Sequence, residues 1–131
     1  MASIFTKIIN REIPAHIVAE DDNYLAFLDI NPLVMGHTLV VPKKEVDYIF
    51  DLDEDTLGGL HNFSKKVAKA IEKAVPCVRI GVTVIGLEVP HAHVHLIPIN
   101  GIADMNFANP KLNPSQEELG EIAEKISEAT T

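Results

Sequence analysis

The 131-residue sequence predicts one α+β domain, with a five-stranded antiparallel sheet, one long helix, a short N-terminal helix and a C-terminal helix. Two patterns predict this class. Short runs rich in β-branched residues follow one another with turn-length connections, which favours antiparallel pairing. A central segment repeats apolar residues with the period of a helix. A chain of this length can bury its own core, so residues 1–131 are expected to form a single domain.

The first half supplies the short helix and three strands. Residues 4–13 are predicted to form the helix, with four apolar residues on one face: Ile4, Phe5, Ile8 and Ile9. Pro14 is expected to end it, because proline lacks an N–H donor and clashes with the preceding turn. The strands are predicted at residues 16–21, 24–30 and 37–43, separated by turn-forming residues.

The second half begins with the long helix. Asp53 is expected to cap its start, and Pro76 is expected to close it. Its apolar residues recur with a period of about 3.6 positions: Leu57, Leu60, Phe63, Val67, Ile71 and Ala74. Strands four and five are predicted at residues 78–86 and 91–99.

The C-terminal helix is predicted from an apolar stripe formed by Leu119, Ile122, Ala123 and Ile126. Its expected N-cap, first position and capping-box partner are Asn113, Pro114 and Gln116. The segment between strand five and this helix has few regular signals. It either covers the functional site or contacts a dimer partner, and the sequence leaves both possibilities open.

The composition excludes several classes of function. The net charge of −8 argues against binding to DNA or RNA backbones, which requires a basic patch. No apolar run approaches the ~18 residues of a membrane span, so no membrane partner is expected. The N-terminus has no signal-peptide pattern, which predicts a cytoplasmic location. The single cysteine, Cys77, rules out an intramolecular disulfide.

Three of the six histidines occupy alternate positions within five residues: His91, His93 and His95. Alternate residues of a strand point to one face, so the three rings are expected to share one side of strand five. The residues between them, Ala92 and Val94, would then face the core. A helix would scatter the same three rings around its axis.

Two kinds of chemistry fit three such rings. Histidine pairs on a strand bind zinc well, but the α-carbons of the outer two lie roughly 13 Å apart, so an ion would use two of them with another residue such as His37. Alternatively, neutral imidazole is a good nucleophile toward phosphorus near pH 7. The central residue, His93, has a neighbour on each side and is the natural nucleophile.

The stretch "HAHVHLIP" resembles the signature of the histidine triad (HIT) family, in which three histidines alternate with apolar residues. Residues 4–45 resemble, without a gap, the histidine triad nucleotide-binding (Hint) branch, and the resemblance covers about residues 3–100. It implies a HIT-like α+β homodimer that binds a purine nucleotide. It also implies cleavage at the α-phosphate through a nucleotidyl-histidine, without a cofactor. Residues 101–131 form an extension outside the resemblance.

The resemblance also implies roles for individual residues. His93 resembles the nucleophile, His91 and His95 resemble its supporting partners, and His37 resembles a fourth histidine of the network. Asp29 resembles the acid that binds the ribose hydroxyls, although it could simply cap a turn. The apolar residues that surround the base in the family correspond to Phe5, Ile8, Phe27 and Ile30. These four could equally be ordinary core residues.

The chain departs from the family pattern just before the triad. Leu87 replaces a glutamine, and Glu88 replaces a hydroxyl residue that helps with the leaving group or a phosphate oxygen. The asparagine of strand four that usually reaches the phosphate region is replaced by Thr83, or by Val84 in another alignment. A carboxylate at position 88 would repel a phosphate. These changes leave open an alternative function, a nucleotide-binding module with weak or lost catalysis, and a histidine-liganded metalloprotein remains a further alternative.

A second departure concerns metal. Many bacterial relatives carry a Cys-x-x-Cys pair and a histidine that bind structural zinc, whereas this chain has Ser3, Thr6 and Glu45 at those positions. Both the cysteine pair and the histidine of that zinc site are therefore missing. The sequence therefore predicts no structural zinc.

Overall fold

The computed structural model describes residues 2–130, so Met1 and Thr131 of the predicted domain lie outside it. The described residues form the predicted α+β arrangement. The helices are α1 (Ile4–Ile9), α2 (Glu54–Ala74) and α3 (Gln116–Ala129). The strands are β1 (Ile17–Glu20), β2 (Tyr24–Leu28), β3 (Thr38–Pro42), β4 (Arg79–Thr83) and β5 (Val94–Ile99). Single turns of 3-10 helix occur at Ile49–Asp51 and Ile102–Met105.

The five strands form one antiparallel sheet in the order β1-β2-β3-β5-β4. Its register brings the functional segments together. Leu28 at the end of β2 pairs with Thr38 at the start of β3, and Thr38 pairs with Leu96 of β5. Thr83 of β4 pairs with His95. The end of β2, the start of β3 and the start of β5 therefore meet in one region of the sheet.

Each face of the sheet packs against different helices. One face carries Ala26, Val40 and Leu96 and is covered by α2 and α3, whose buried side chains include Leu60 and Ile126. The other face carries a smaller cluster in which α1 packs against β2 and β3; its buried members are Phe5, Ile8, Leu25, Phe27, Leu39 and Val41. The alternation of side chains along each strand produces this division.

Helix α1 is shorter than the predicted 4–13, and Pro14 does not end it. The helix ends at Ile9, followed by Arg11 in the left-handed region with φ 62°. The N–H of Glu12 donates to the carbonyl of Lys7, and the N–H of Arg11 donates to that of Ile8. This hydrogen-bond pair is the Schellman arrangement, so local capping stops the helix before proline can.

The predicted cap of α3 is also wrong. Ser115, not Asn113, is the N-cap: its Oγ accepts from the N–H of Glu118 at 3.1 Å. The carboxylate of Glu118 in turn accepts from the N–H of Ser115 at 3.0 Å. This reciprocal pair forms a capping box two residues later than predicted, because serine and glutamate satisfy both free N–H groups at once.

Strand β5 begins at Val94 rather than at residue 91, and β4 ends at Thr83 rather than at residue 86. The N–H of Ala92 donates to the carbonyl of Val46 at 2.7 Å, outside the sheet. His91 and His93 therefore lie in the chain that leads into β5. The alternation persists nonetheless, because Ala92 packs in the same core as Val94. None of the helices in the described range is long and apolar enough to cross a membrane.

Candidate active site

The four histidines singled out from the sequence lie together on the α1 side of the sheet. His37 directly precedes β3, His91 and His93 directly precede β5, and His95 lies within β5. All four are buried. The register that pairs Leu39 with His95 places the start of β3 beside β5. The side chains that separate the triad histidines point to the opposite face, so the shared face predicted from the alternation is present.

The hydrogen bond of His93 determines which of its ring nitrogens carries the proton. Nδ1 lies 2.8 Å from the carbonyl oxygen of His91. A carbonyl only accepts, so Nδ1 holds the proton and the neutral ring has its lone pair on Nε2. Nε2 forms no hydrogen bond within residues 2–130. Every fully buried side-chain nitrogen or oxygen in that range has a hydrogen-bond partner, so Nε2 is not fully buried. This atom therefore faces the open cavity that His93 lines.

His37 and His95 form a second oriented pair. The N–H of Leu33 donates to Nδ1 of His37 at 3.1 Å, which places the His37 proton on Nε2. That nitrogen lies 2.9 Å from Nδ1 of His95 and donates to it. The neutral His95 ring consequently carries its proton on Nε2. In the cavity, His95 therefore offers an N–H donor at Nε2, and the neighbouring His93 offers a lone pair at Nε2.

Burial keeps this pair uncharged at neutral pH. It lowers the pKa of His37 to about 4, and repulsion by the charge of Lys111, and by His93 when that ring is protonated, acts in the same direction. It lowers the pKa of His95 to about 3, and repulsion by His93 and His37, when they are protonated, and by the charge of Lys111 are smaller causes in the same direction. Both rings thus act through hydrogen bonds and not as cations.

His91 is held by residues from two other parts of the chain. Its Nε2–H donates to the carbonyl of Pro42 at 2.8 Å, and its Nδ1 accepts from Oγ of Ser3 at 2.8 Å. The carboxylate of Glu45 accepts from the N–H of Ser3 at 2.7 Å and from the hydroxyl of Thr6. Ser3, Thr6 and Glu45, which the resemblance aligns with the zinc ligands of many bacterial relatives, thus form one hydrogen-bonded network with His91.

Asp29 has the turn-capping role considered for it, and ribose binding stays a prediction. Its Oδ1 accepts from the N–H of Asn31 at 2.9 Å, which caps the turn after β2. Its Oδ2 lies 3.8 Å from Nε2 of His37. Burial raises the pKa of Asp29, while the Asn31 N–H and the charge of Lys111 act in the opposite direction. Asp29 also lines the cavity beside His93, so one oxygen stabilises the turn and the other is available to a ligand.

The cavity next to the histidines has a volume of about 190 Å³, and its lining residues come from four segments of the chain: Asp29, Ile85, Gly86, Leu87, Glu88, His93, His95, Phe107 and Lys111. A larger groove of about 460 Å³ lies on α2 and contains no triad histidine. The smaller cavity is the candidate active site, because it joins a free imidazole lone pair to polar groups. Its size suits a phosphoryl group rather than an entire nucleotide.

The four apolar residues expected around a base occupy two environments. Phe5, Ile8 and Phe27 are buried in the α1 cluster. The ring of Phe5 also meets the ring of His93 edge-on, with 4.9 Å between centroids. Ile30 lies outside this cluster and is 54% exposed. Of the four, Phe5 packs directly against the histidines, and contact with a base stays a prediction for all four.

The residues before the triad that differ from the family pattern occupy different positions relative to the cavity. Glu88 lines the cavity with His93, and Leu87 lines it while remaining 88% exposed. Gly86 adopts φ 77°, which lets the loop turn toward the histidines. Thr83 pairs with His95 across the sheet but does not line the cavity. A role for Thr83 in phosphate binding stays a prediction.

Within residues 2–130, one group of side chains has the spacing of a metal site. The ligating atoms of Asp29, His37 and His95 lie within 4.8 Å of one another. The sequence suggested two triad histidines with a residue such as His37, but only one triad histidine, His95, belongs to this group. Asp29 joins it because the pairing of Leu28 with Thr38 sets Asp29 opposite His37. An ion there would have to displace the proton shared by the two rings.

Two residues of the extension reach the site and were not anticipated individually. Phe107 packs edge-on against His95, with ring centroids 5.0 Å apart, and against His37 at 6.1 Å. Lys111 lies over the ring of Phe107 and lines the cavity. The N–H of Leu112 donates to the carbonyl of Pro32 and anchors this segment beside the Asp29 turn. The extension therefore covers the candidate site, which is one of the two possibilities left open by the sequence, and contact with a dimer partner stays a prediction.

Comparison with known proteins identifies the family. A model described as the HIT domain matches residues 10–101. The chain is 37% identical over 132 residues to an uncharacterised HIT-like protein of Borreliella burgdorferi, with 95% of each chain covered. It is 33% identical over 129 residues to an adenosine 5′-monophosphoramidase of Schizosaccharomyces pombe, with 97% of each covered. A crystal structure of a HIT-like protein from Bartonella henselae matches with a TM-score of 0.84 and 38% identity, covering 97% of this chain and 95% of that one. With its triad, its fold and these relatives, the chain belongs to the histidine triad (HIT) family.

Proposed function

We propose that the chain hydrolyses a purine nucleoside phosphoramidate or a similar conjugate, or transfers its nucleotidyl group, through attack of His93 on the α-phosphorus. The observation that carries this proposal is the 2.8 Å hydrogen bond from Nδ1 of His93 to the carbonyl of His91. It leaves the Nε2 lone pair free in the cavity. The relative from Schizosaccharomyces pombe is named an adenosine 5′-monophosphoramidase, which supports nucleotide hydrolysis as the class of reaction.

In the first step, Nε2 of His93 forms a bond to phosphorus while the bond from phosphorus to the leaving group breaks. In a phosphoramidate, the leaving nitrogen takes the electron pair and a proton from solvent. The ring becomes cationic as it bonds to phosphorus, and the carbonyl of His91 stabilises the Nδ1–H. The Nε2–H of His95 lines the same cavity and can donate to a phosphoryl oxygen.

In the second step, water attacks the same phosphorus and releases a proton to the solvent, and the N–P bond breaks. The electron pair returns to Nε2, so His93 regains its starting tautomer and the nucleoside monophosphate is released. If another nucleophile replaces water, the same intermediate gives transfer instead. The same sequence also applies to a phosphoanhydride, in which the leaving oxygen takes the electron pair.

The remaining residues bind the nucleotide. Asp29 accepts from the ribose hydroxyls with the oxygen that does not cap the turn, and the base lies outside the small cavity, on the side of Ile30. An alternative is nucleotide binding without turnover, because Glu88 lines the cavity where a phosphate must lie. That alternative predicts AMP binding with negligible hydrolysis, and faster hydrolysis after Leu87→Gln and Glu88→Ser.

A comparison of variants tests the proposal. Hydrolysis of adenosine 5′-phosphoramidate should fall by about 10³-fold or more in His93→Ala, because the nucleophile is removed. His61→Ala is the control: His61 is an exposed histidine on α2 and lines a different groove. It should keep wild-type turnover. Wild-type turnover in His93→Ala would show that His93 is not the nucleophile. Loss of wild-type turnover on addition of a chelator would instead favour a metal ion bound by Asp29, His37 and His95.

We further propose that the chain forms a homodimer through β4. Within the described chain, β4 pairs only with β5, so its other edge is free. This edge carries apolar residues, with Val78 71% and Val82 55% exposed. An uncovered apolar edge strand favours pairing with another copy. Analytical ultracentrifugation should show a dimer for the wild type and a monomer for Val82→Glu. A monomeric wild type would refute the dimer.

A further inference from the structure

The charges that line the catalytic cavity do not suit a phosphate unless Lys111 is included. Asp29 and Glu88 both line the cavity, and each carboxylate repels an anionic phosphoryl group when it is ionised. Burial lowers the pKa of His95 to about 3, so that ring contributes no charge near pH 7. Lys111 is the one lysine or arginine among the described residues that line this cavity.

The extension holds the ammonium group of Lys111 in place. Nζ donates to the carbonyl of Phe107 at 2.8 Å and lies 5.3 Å from the centroid of the Phe107 ring. That ring is itself packed against His95 and His37. On the other side, the N–H of Leu112 donates to the carbonyl of Pro32 at 2.9 Å. An ammonium group has three N–H donors, so Lys111 retains two for a ligand.

The charge of Lys111 already influences the groups that surround the phosphate position. After burial, it is the largest cause that lowers the pKa of His37. It also opposes the increase that burial causes in the pKa of Asp29. The ammonium group therefore lies within electrostatic range of the space between Asp29 and the histidines.

We propose that Lys111 binds a non-bridging oxygen of the substrate's α-phosphoryl group and so supplies the positive charge that the residues before the triad lack. This inference rests on the proposed function and deepens it. It assigns the extension a part in substrate binding and explains how a cavity with a glutamate at position 88 accepts an anion. The ligand class is a nucleoside 5′-monophosphate or a derivative substituted on its phosphorus.

The test compares AMP with adenosine, which lacks the phosphate. Lys111→Met retains most of the side-chain length without the charge. It should weaken AMP binding, measured by calorimetry, by about 10- to 100-fold, because it removes a charge-assisted hydrogen bond. Adenosine binding should not change. Lys111→Arg should retain AMP affinity to a large extent. The control is Lys66→Met, at an exposed position of α2 on the opposite face of the sheet. It makes the same change in net charge and should bind AMP like the wild type.

The outcomes separate this proposal from the proposed function. If the wild type hydrolyses adenosine 5′-phosphoramidate and Lys111→Met binds AMP equally well, the role of Lys111 is refuted and the hydrolase stands. If the wild type binds AMP through Lys111 but does not hydrolyse the phosphoramidate, Lys111 stands and the hydrolase is refuted. A wild type that binds neither AMP nor the phosphoramidate would refute both.

Discussion

At the scale of the residue, tautomers decide what the three alternating histidines can do. The sequence predicted a shared face and the central position of His93. It could not predict the proton positions, because these depend on the N–H of Leu33 and on the carbonyls of Pro42 and His91. The resemblance suggested Asp29 as a ribose ligand. The alternative suggested by the sequence, that Asp29 caps a turn, is confirmed by the hydrogen bond from the N–H of Asn31, and the ribose contact stays a prediction.

The contact between Ser3 and His91 gives a test at this scale. Ser3→Ala removes an N-cap and a donor to Nδ1 of His91, so it should lower the free energy of unfolding by about 1–3 kcal/mol. It should also lower kcat for phosphoramidate hydrolysis by about tenfold, because a loosened His91 misplaces His93. Both effects can be measured by urea denaturation and steady-state kinetics.

Ser115→Ala provides the matched control, since Ser115 caps α3 and does not contact a histidine. It should lower the free energy of unfolding by about 1 kcal/mol and leave kcat unchanged. If both serine variants had the same kcat as the wild type, Ser3 would have only a structural role.

At the scale of the element, hydrophobic periodicity predicted which helices and strands exist, and local capping determined where they end. Helix α2 was predicted well, because its apolar residues and Asp53 cap agree. The end of α1 was missed, because Arg11 is not a residue that normally signals a left-handed turn. The extension could not be placed, because its contacts through Phe107 and Leu112 are with distant parts of the chain.

Two adjacent glycines in α2 provide a test at this scale. A Cβ at Gly58 would meet no atom within 4 Å, so Gly58→Ala should stabilise the helix by about 0.5–1 kcal/mol. A Cβ at Gly59 would collide with the hydroxyl of Tyr24, which donates to the carbonyl of Thr56. The Tyr24 ring is also stacked on Phe63 and cannot move freely.

Gly59→Ala should therefore destabilise the protein by about 1–3 kcal/mol, although helix propensity alone predicts the opposite sign. Thermal denaturation of both variants measures the difference. Equal stabilisation by the two substitutions would show that Tyr24 is not packed as described.

At the scale of the whole molecule, the sheet divides structural and chemical tasks between its faces. The α2 face supplies most of the core, and the α1 face buries the four histidines of the candidate site. The sequence predicted this division from the alternation of Ala92 and Val94 with the histidines. The sequence did not predict how the buried histidines affect the free energy of unfolding, because burial on the α1 face depends on Phe5, Phe27 and Phe107 together.

Burial of the histidines predicts acid sensitivity. Unfolded histidine has a pKa near 6.5, whereas His37 and His95 have folded values of about 4 and about 3. Below 6.5 the unfolded chain takes up protons that the folded chain does not, so stability falls as pH falls toward about 4. Each ring contributes up to ~1.4 kcal/mol per pH unit. Asp29, whose pKa is raised by burial, opposes this loss at the acidic end.

Urea denaturation at about pH 7, 6 and 5 measures this dependence. His37→Asn should have a shallower pH dependence than the wild type, because one buried ring no longer titrates on unfolding. His61→Ala removes an exposed histidine and should keep the wild-type slope. An unchanged slope in His37→Asn would mean that His37 does not resist protonation in the fold.

The central claim is that His93 forms a covalent bond to the α-phosphorus, and the stereochemistry at that phosphorus tests it most directly. One diastereomer of an adenosine 5′-phosphoramidate with sulfur on the phosphorus can be hydrolysed in isotopically labelled water. Attack by Nε2 of His93 followed by attack of water inverts the phosphorus twice, so the account predicts overall retention of configuration. Overall inversion would show that water displaces the amine in one step, and would contradict the account.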